Sequence, residues 1–88
     1  MFITTIKKDI INPIHIVQVL INYEVRKTIN EVPYIIFSDF YKVDNFVAEE
    51  GVKYCLCVMT DGSKHVCLLE NVLRYAYSEL PQLTNVGL

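Results

Sequence analysis

Apolar and polar residues alternate along much of the first third of the chain, which is typical of β-strands. Residues 2–7 are mostly aromatic or β-branched and predict an opening strand. Asn12-Pro13 is a typical helix start, with Asn as the cap and Pro in the first turn, so a helix after Pro13 is one alternative. Apolar residues nevertheless occupy every second position from Val17 to Val25, and Ile and Val dominate this stretch. We therefore expect residues 14–25 to form a strand.

A second apolar run begins at Pro33, after a turn over residues 29–31. Residues 34–37 read Tyr-Ile-Ile-Phe and predict another strand. In residues 38–50, Phe40, Val43 and Phe46 have helical spacing, whereas the acidic residues and Asn45 suit a loop equally well. We expect a connection here, with one helical turn or two.

The last third of the chain predicts two strands followed by a helix. Apolar runs over 52–59 and 64–69 flank Thr60-Asp61-Gly62-Ser63, and Asp-Gly between apolar runs is a strong hairpin signal. A helix is expected from about residue 70 to residue 80, before Pro81, and residues 82–88 are expected to fray. Its predicted apolar face consists of Val72, Leu73, Ala76, Tyr77 and Leu80.

The expected fold class is therefore α+β, in one domain spanning residues 1–88. It combines a small antiparallel β-sheet, a β-meander with an Asp-Gly hairpin, with a C-terminal α-helix packed on one face. The apolar fraction of 52% is high enough to exclude intrinsic disorder.

The length of the hairpin loop decides which cysteines share a face. A two-residue loop would place Cys67 on the sheet face opposite to Cys55 and Cys57. A three-residue loop, with Gly62 in the left-handed conformation, would pair Cys55 with Cys67 and Cys57 with His65. We favour the second register because it separates the bulky apolar side chains from the thiols.

Three parts of the chain together resemble a known pattern. They are Ile11-Asn12-Pro13 with His15-Ile16 and Val19, then residues 58–63, and finally Glu70-Asn71-Val72-Leu73. The order resembles the small β-meander of flagellar FlbD-type proteins and, more loosely, LytTR-type DNA-binding domains, and covers about half the chain. The resemblance implies the sheet-plus-helix fold, and the LytTR likeness implies DNA binding as an alternative function.

Charge and cysteine usage restrict the classes of function. The net charge of -2 disfavours a nucleic-acid partner, because such domains usually carry a basic footprint. The chain shows neither an export signal nor a membrane-spanning run, so we expect a cytoplasmic protein, no membrane partner and three reduced cysteines.

Neither a metal site nor a catalytic centre is expected. Cys-x-Cys on a strand holds its sulfurs too far apart for structural zinc, and Cys57 beside His65 lies on a strand, whereas reactive thiols usually lie on a loop or helix start. The sequence also contains no glycine-rich phosphate loop. We therefore predict no catalytic residue, no metal ligand and no cofactor.

These exclusions favour a small non-enzymatic binding protein. It looks like the inhibitors that phages and mobile elements encode to block or sequester a host factor, such as a defence protein or a nucleotide signal. Both faces of the hairpin are apolar or thiol-bearing and one helix covers one face, so a homo-oligomer is expected. The binding residues are predicted to be Arg26, Lys27, Tyr34, Tyr41 and Lys42, brought to one end of the sheet.

Overall fold

Among the residues that the structure describes, the fold consists of eight short strands, one 3-10 turn and one helix. The computed structural model describes residues 2–37 and 41–79, with side chains to residue 76 in the helix. In chain order the elements are β1 (Ile3–Thr4), β2 (Ile10–Ile11), a 3-10 turn (Pro13–His15), β3 (Ile16–Leu20), β4 (Tyr23–Lys27), β5 (Pro33–Phe37), β6 (Lys42–Asp44), β7 (Tyr54–Met59), β8 (Lys64–Leu68) and α1 (Leu69–Glu79).

The strands form three antiparallel sheets instead of the single meander that we predicted. β1 pairs with β2, a first three-stranded sheet has the order β3-β7-β8, and a second has the order β4-β5-β6. The single-sheet prediction is wrong because the chain leaves the first sheet at Ile21-Asn22, between β3 and β4. The mainly antiparallel character and the C-terminal helix agree with the predicted α+β class.

The region after Pro13 contains both of the elements that the sequence allowed. Asn12 caps a single turn, its side-chain oxygen accepting a hydrogen bond from the amide of Ile14 at 3.2 Å. The chain then becomes extended as β3 and β4, which confirms the strand prediction for most of residues 14–25. The Ile and Val residues that follow stop the turn from continuing as a helix.

β7 and β8 pair in the register that a three-residue loop predicts. Cys55 lies opposite Cys67 and Cys57 opposite His65. The amide of Met59 donates to the carbonyl of Ser63 at 2.8 Å, and Gly62 has a φ of +85°. The three thiols therefore share one face of the first sheet.

Residues 41–50 contain a strand where helical spacing suggested a helical turn. β6 pairs with β5, and the amide of Phe46 donates to the carbonyl of Pro33 at 3.2 Å. Val43 and Phe46 are buried, so their spacing comes from packing against the core and not from a helix. The helical prediction is wrong for the described residues; Ser38 and Phe40 lie outside them.

Two apolar clusters lie on opposite faces of the first sheet. The thiol face packs against β1, β2 and α1 through Ile3, Ile11, Val72 and Tyr75. The other face packs against the second sheet, and its buried members are Tyr54, Leu56, Val66, Ile35, Phe37, Val43 and Phe46. The chain thus covers both faces of the hairpin itself. The uncovered face on which the homo-oligomer expectation rested is therefore absent among the described residues.

The helix presents the predicted apolar face only in part: Val72 and Ala76 are covered as predicted, and the side chains of Tyr77 and Leu80 lie outside the described residues. Val72 and Tyr75 are buried, whereas Leu73 is 44% exposed. α1 follows β8 directly, so its rotation is set by the strand that leads into it and by the contact of Leu69 with the thiol-side core. Tyr75, which is not on the predicted apolar face, belongs to this core.

Candidate functional site

The second sheet has one face packed on the core and one face turned to solvent. Its register places side chains in two rows that run across β4, β5 and β6. One row is Arg26, Tyr34 and Asp44, and the other is Glu24, Ile36 and Lys42. Side chains directly across a ladder point to the same face, and the alternate positions Ile35, Phe37 and Val43 are buried. The six side chains of these two rows form what we call the outer face: Glu24, Arg26, Tyr34, Ile36, Lys42 and Asp44.

The charges of the outer face are arranged as two pairs on its two edge strands. On β4, the Arg26 guanidinium donates to the Glu24 carboxylate, with Nε 2.8 Å from Oε2. This hydrogen bond and the charge of Glu24 raise the pKa of Arg26 above its ordinary value. On β6, the Lys42 ammonium is 3.2 Å from an Asp44 carboxylate oxygen. Both cations are thus neutralised locally, and the face carries no net charge.

Tyr34 occupies the centre of this face on the middle strand. Lys42 Nζ lies 4.6 Å from the centroid of its ring, a cation–π distance, and Arg26 faces it from the opposite strand. Tyr34 and Ile36 are both half-buried. A tyrosine held between two cations, beside an isoleucine, combines apolar area with hydrogen-bonding capacity, which is the composition of protein-binding hot spots.

The structure brings together three of the five predicted binding residues and separates the other two. Arg26, Tyr34 and Lys42 share the outer face. Lys27 lies opposite Pro33, on the other side of β4. Tyr41 packs against the core, with its hydroxyl 3.5 Å from the carbonyl of Lys64. The period of two in a strand makes adjacent residues such as Arg26 and Lys27 point to opposite faces.

Sequence reasoning missed Glu24, Ile36 and Asp44, which complete the face. Each lies two positions from a predicted residue on the same strand, so alternation could have found it. That inference requires β6 to be a strand, whereas the helical spacing of Phe40, Val43 and Phe46 suggested a helical turn there.

The cysteine cluster lies in the interior and lacks the features of a reactive site. Cys55, Cys57 and Cys67 have no exposed area, and the sulfurs of Cys55 and Cys57 are 4.0 Å apart. The thiol contact with Cys55, followed by burial, raises the pKa of Cys57 to about 12, and contact with Cys57 together with burial raises the pKa of Cys67. Thiols held in this protonated form are poor nucleophiles.

The hairpin end carries an Asp, a Ser and a His in contact, but in an order unsuited to catalysis. Ser63 Oγ lies 2.6 Å from Asp61 Oδ1 and 3.2 Å from His65 Nε2. The serine hydroxyl donates its hydrogen bond to the carboxylate, whereas nucleophilic activation requires the hydroxyl to donate its hydrogen bond to the histidine. The bonds from Ser63 lower the pKa of Asp61 and stabilise the turn. His15 lines a cavity of about 250 Å³ with these residues.

No family model, curated protein or solved structure matches the chain. Within residues 2–37 and 41–79, no three His, Cys, Asp or Glu side chains form a group that could hold a metal ion. The same residues include no helix with the length and apolar character needed to cross a membrane.

Proposed function

We propose that the protein is a non-enzymatic binding protein that contacts a partner protein through the outer face. The observation that carries the proposal is the position of Tyr34, half-buried and flanked by Arg26 and Lys42 on a regular sheet. Three paired strands hold these side chains at fixed spacing, so little conformational entropy is lost when a partner binds.

Charge pairing favours a protein partner over a phosphate-bearing one. The carboxylates of Glu24 and Asp44 are in contact with the only cations of the outer face, so a phosphate approaching Tyr34 would meet no net positive charge. A protein surface can present both a carboxylate and an amine, and so can complement both pairs. This argues against a nucleotide ligand and against the LytTR-type regulator that the sequence also suggested.

In biological terms we propose an inhibitor of the phage or mobile-element type, acting in the cytoplasm. It would block a host protein, such as a defence factor, by occupying that protein's surface. The proposal is supported by a binding face held on a regular sheet, in a fold whose buried thiols and hairpin residues lack a catalytic arrangement.

The test compares neighbouring residues that point to opposite faces of one strand. Wild-type protein, Arg26→Ala, Tyr34→Ala and the control Lys27→Ala are immobilised, and proteins retained from host lysate are quantified by mass spectrometry. Affinity for a retained protein is then measured by calorimetry. We expect the Arg26 and Tyr34 variants to bind at least tenfold more weakly, a loss of about 1.4 kcal/mol or more, and Lys27→Ala to bind as wild type.

Two results would contradict the proposal. One is equal binding by all four proteins, which would place the partner on another surface. The other is binding to duplex DNA that weakens steeply as salt rises, since this is the signature of phosphate contacts. Thermal unfolding of each variant shows whether it is folded, and the substitutions at the exposed residues Arg26 and Lys27 should leave the midpoint within a few degrees.

A further inference from the structure

β4 is an open edge of the second sheet. Its only strand neighbour among the described residues is β5, and residues 24–27 are all exposed. The amide of Thr28 donates to the carbonyl of Val32 at 3.0 Å, and Pro33 has no amide to offer Lys27. Because ladder hydrogen bonds involve alternate residues, Glu24 and Arg26 bond toward β5. The backbone groups of Tyr23, Val25 and Lys27 therefore point away from the sheet.

Three exposed apolar residues are spaced evenly in the sequence around this edge, with Ile21 before β4, Val25 within it and Ile29 in the turn after it. Val25 is 46% exposed, Ile21 is 56% exposed and Ile29 is fully exposed. They are four residues apart, with Val25 at the centre. The charged pair is symmetric about the same point, because Glu24 precedes Val25 and Arg26 follows it.

We propose that two copies of this chain pair edge to edge, antiparallel, about a two-fold axis at Val25. Val25 then lies opposite Val25 of the second copy and exchanges both backbone hydrogen bonds with it. Glu24 of each copy lies opposite Arg26 of the other. Ile21, in the link before β4, and Ile29, in the turn after it, lie near the two ends of the paired segment.

Charge selects this register from the others that β4 allows. An axis at Glu24 would place two carboxylates opposite each other, and an axis at Arg26 would place two guanidinium groups opposite each other, both destabilising. An axis at Tyr23 or Lys27 would leave both charges without an opposite partner across the interface. The axis at Val25 makes two cross-strand ion pairs, and these extend the Glu24–Arg26 contact within each chain into a network of four charges.

The pairing joins two three-stranded sheets into one of six strands and places the two outer faces side by side. Five residues per strand bury less than the ~1,600 Å² of a standard interface, which is typical of weak association, so we expect the dimer to form and dissociate reversibly. This inference concerns the sheet edge and does not rest on the proposed function. Self-association is measured on the purified protein alone, so the two proposals fail separately.

The experiment uses charge reversal and mixing. The masses of wild type, Glu24→Arg and Arg26→Glu are measured by sedimentation across the micromolar range, with Asp44→Arg on the opposite edge as the control. We expect wild type and the control to dimerise, and each β4 variant alone to associate at least tenfold more weakly because like charges face each other. An equimolar mixture of the two β4 variants should dimerise again, because arginines of one chain then face glutamates of the other.

Dimerisation of the mixture depends on contact between the two chains. Neither variant regains a Glu–Arg pair within its own chain, so an effect inside one chain cannot explain the recovery. A monomeric wild type, β4 variants that dimerise as wild type does, or a mixture that stays monomeric would each overturn the proposal. Hydrogen exchange on the wild type adds a test without substitution: the Val25 amide should exchange more slowly as concentration rises, and unchanged exchange would also overturn it.

Discussion

Alkaline pH should destabilise this protein through its buried thiols. Cys57 has an ordinary thiol pKa near 9.0, and in the folded chain contact with Cys55 and burial raise that pKa to about 12. Below pH 9 the thiol is protonated in both states and the free energy of unfolding does not depend on it. Above pH 9 the unfolded thiol ionises while the folded one does not, so stability is lost progressively up to the folded pKa.

The size of the loss follows from this difference in ionisation. One pKa unit corresponds to about 1.4 kcal/mol, so at about pH 10 Cys57 alone should lower the free energy of unfolding by about that amount relative to pH 8. Cys67, whose pKa is raised by Cys57 and by burial, should contribute in the same direction. The loss is a large fraction of the stability expected for a domain of this size.

Urea unfolding at both pH values, with reducing agent, measures the effect. Tyrosines and lysines also titrate in this range, so the comparison is with Cys57→Ala, which retains them. That variant starts from lower stability but should lose at least about 1.4 kcal/mol less than wild type over the same pH step, because it lacks the Cys57 thiol and the contact with Cys57 that raises the pKa of Cys67. Equal losses in the two proteins would refute the reasoning. Rapid native-state reaction of Cys57 with a disulfide reagent would refute it as well.

Three further predictions concern the fold. Leu56→Ala should cost roughly 2–5 kcal/mol in urea unfolding, because the side chain has no exposed area and lies between the two sheets; a cost below 1 kcal/mol would contradict this packing. Gly62→Ala should cost about 1 kcal/mol from backbone strain alone, because φ is +85° and a Cβ would meet no atom within 4 Å; an unchanged denaturation midpoint would show that the turn is different. Hydrogen bonds from Ser63 lower the pKa of Asp61, so its carboxylate stabilises the fold above the ordinary pKa of 3.8, and this stabilisation is lost as pH falls through the lowered pKa. The stability of Asp61→Asn should therefore fall less than that of wild type on acidification. Identical stability-against-pH profiles of the two proteins in acid unfolding would contradict this.

Local patterns were sufficient to predict where most strands lie. The strands at 16–27, the strand from Pro33 and the pairing of residues 54–59 with 64–68 all follow from side-chain chemistry within a few residues of each other. The cap at Asn12 is equally local, since its side chain bonds an amide two residues away. Such features depend on contiguous residues and can be predicted without knowing what they pack against.

The candidate site was only half predicted, because its composition depends on pairing. Arg26, Tyr34 and Lys42 were chosen for their chemistry, and alternation across β4, β5 and β6 brings them together. Lys27 and Tyr41 have similar chemistry but opposite parity. The register of three strands decides which residues share a face, and no single strand contains that information.

By itself, the sequence therefore determined the α+β class, the approximate positions of most strands and of the helix, and the segregation of thiols from bulky apolar residues on the hairpin. Only the tertiary structure decided that β3 and β4 separate into different sheets, that residues 42–44 are a strand, and that the chain covers both faces of the hairpin. The physical reason is that conformation within a strand is favoured by neighbouring side chains, whereas sheet membership is chosen by burial of surfaces far apart in the chain.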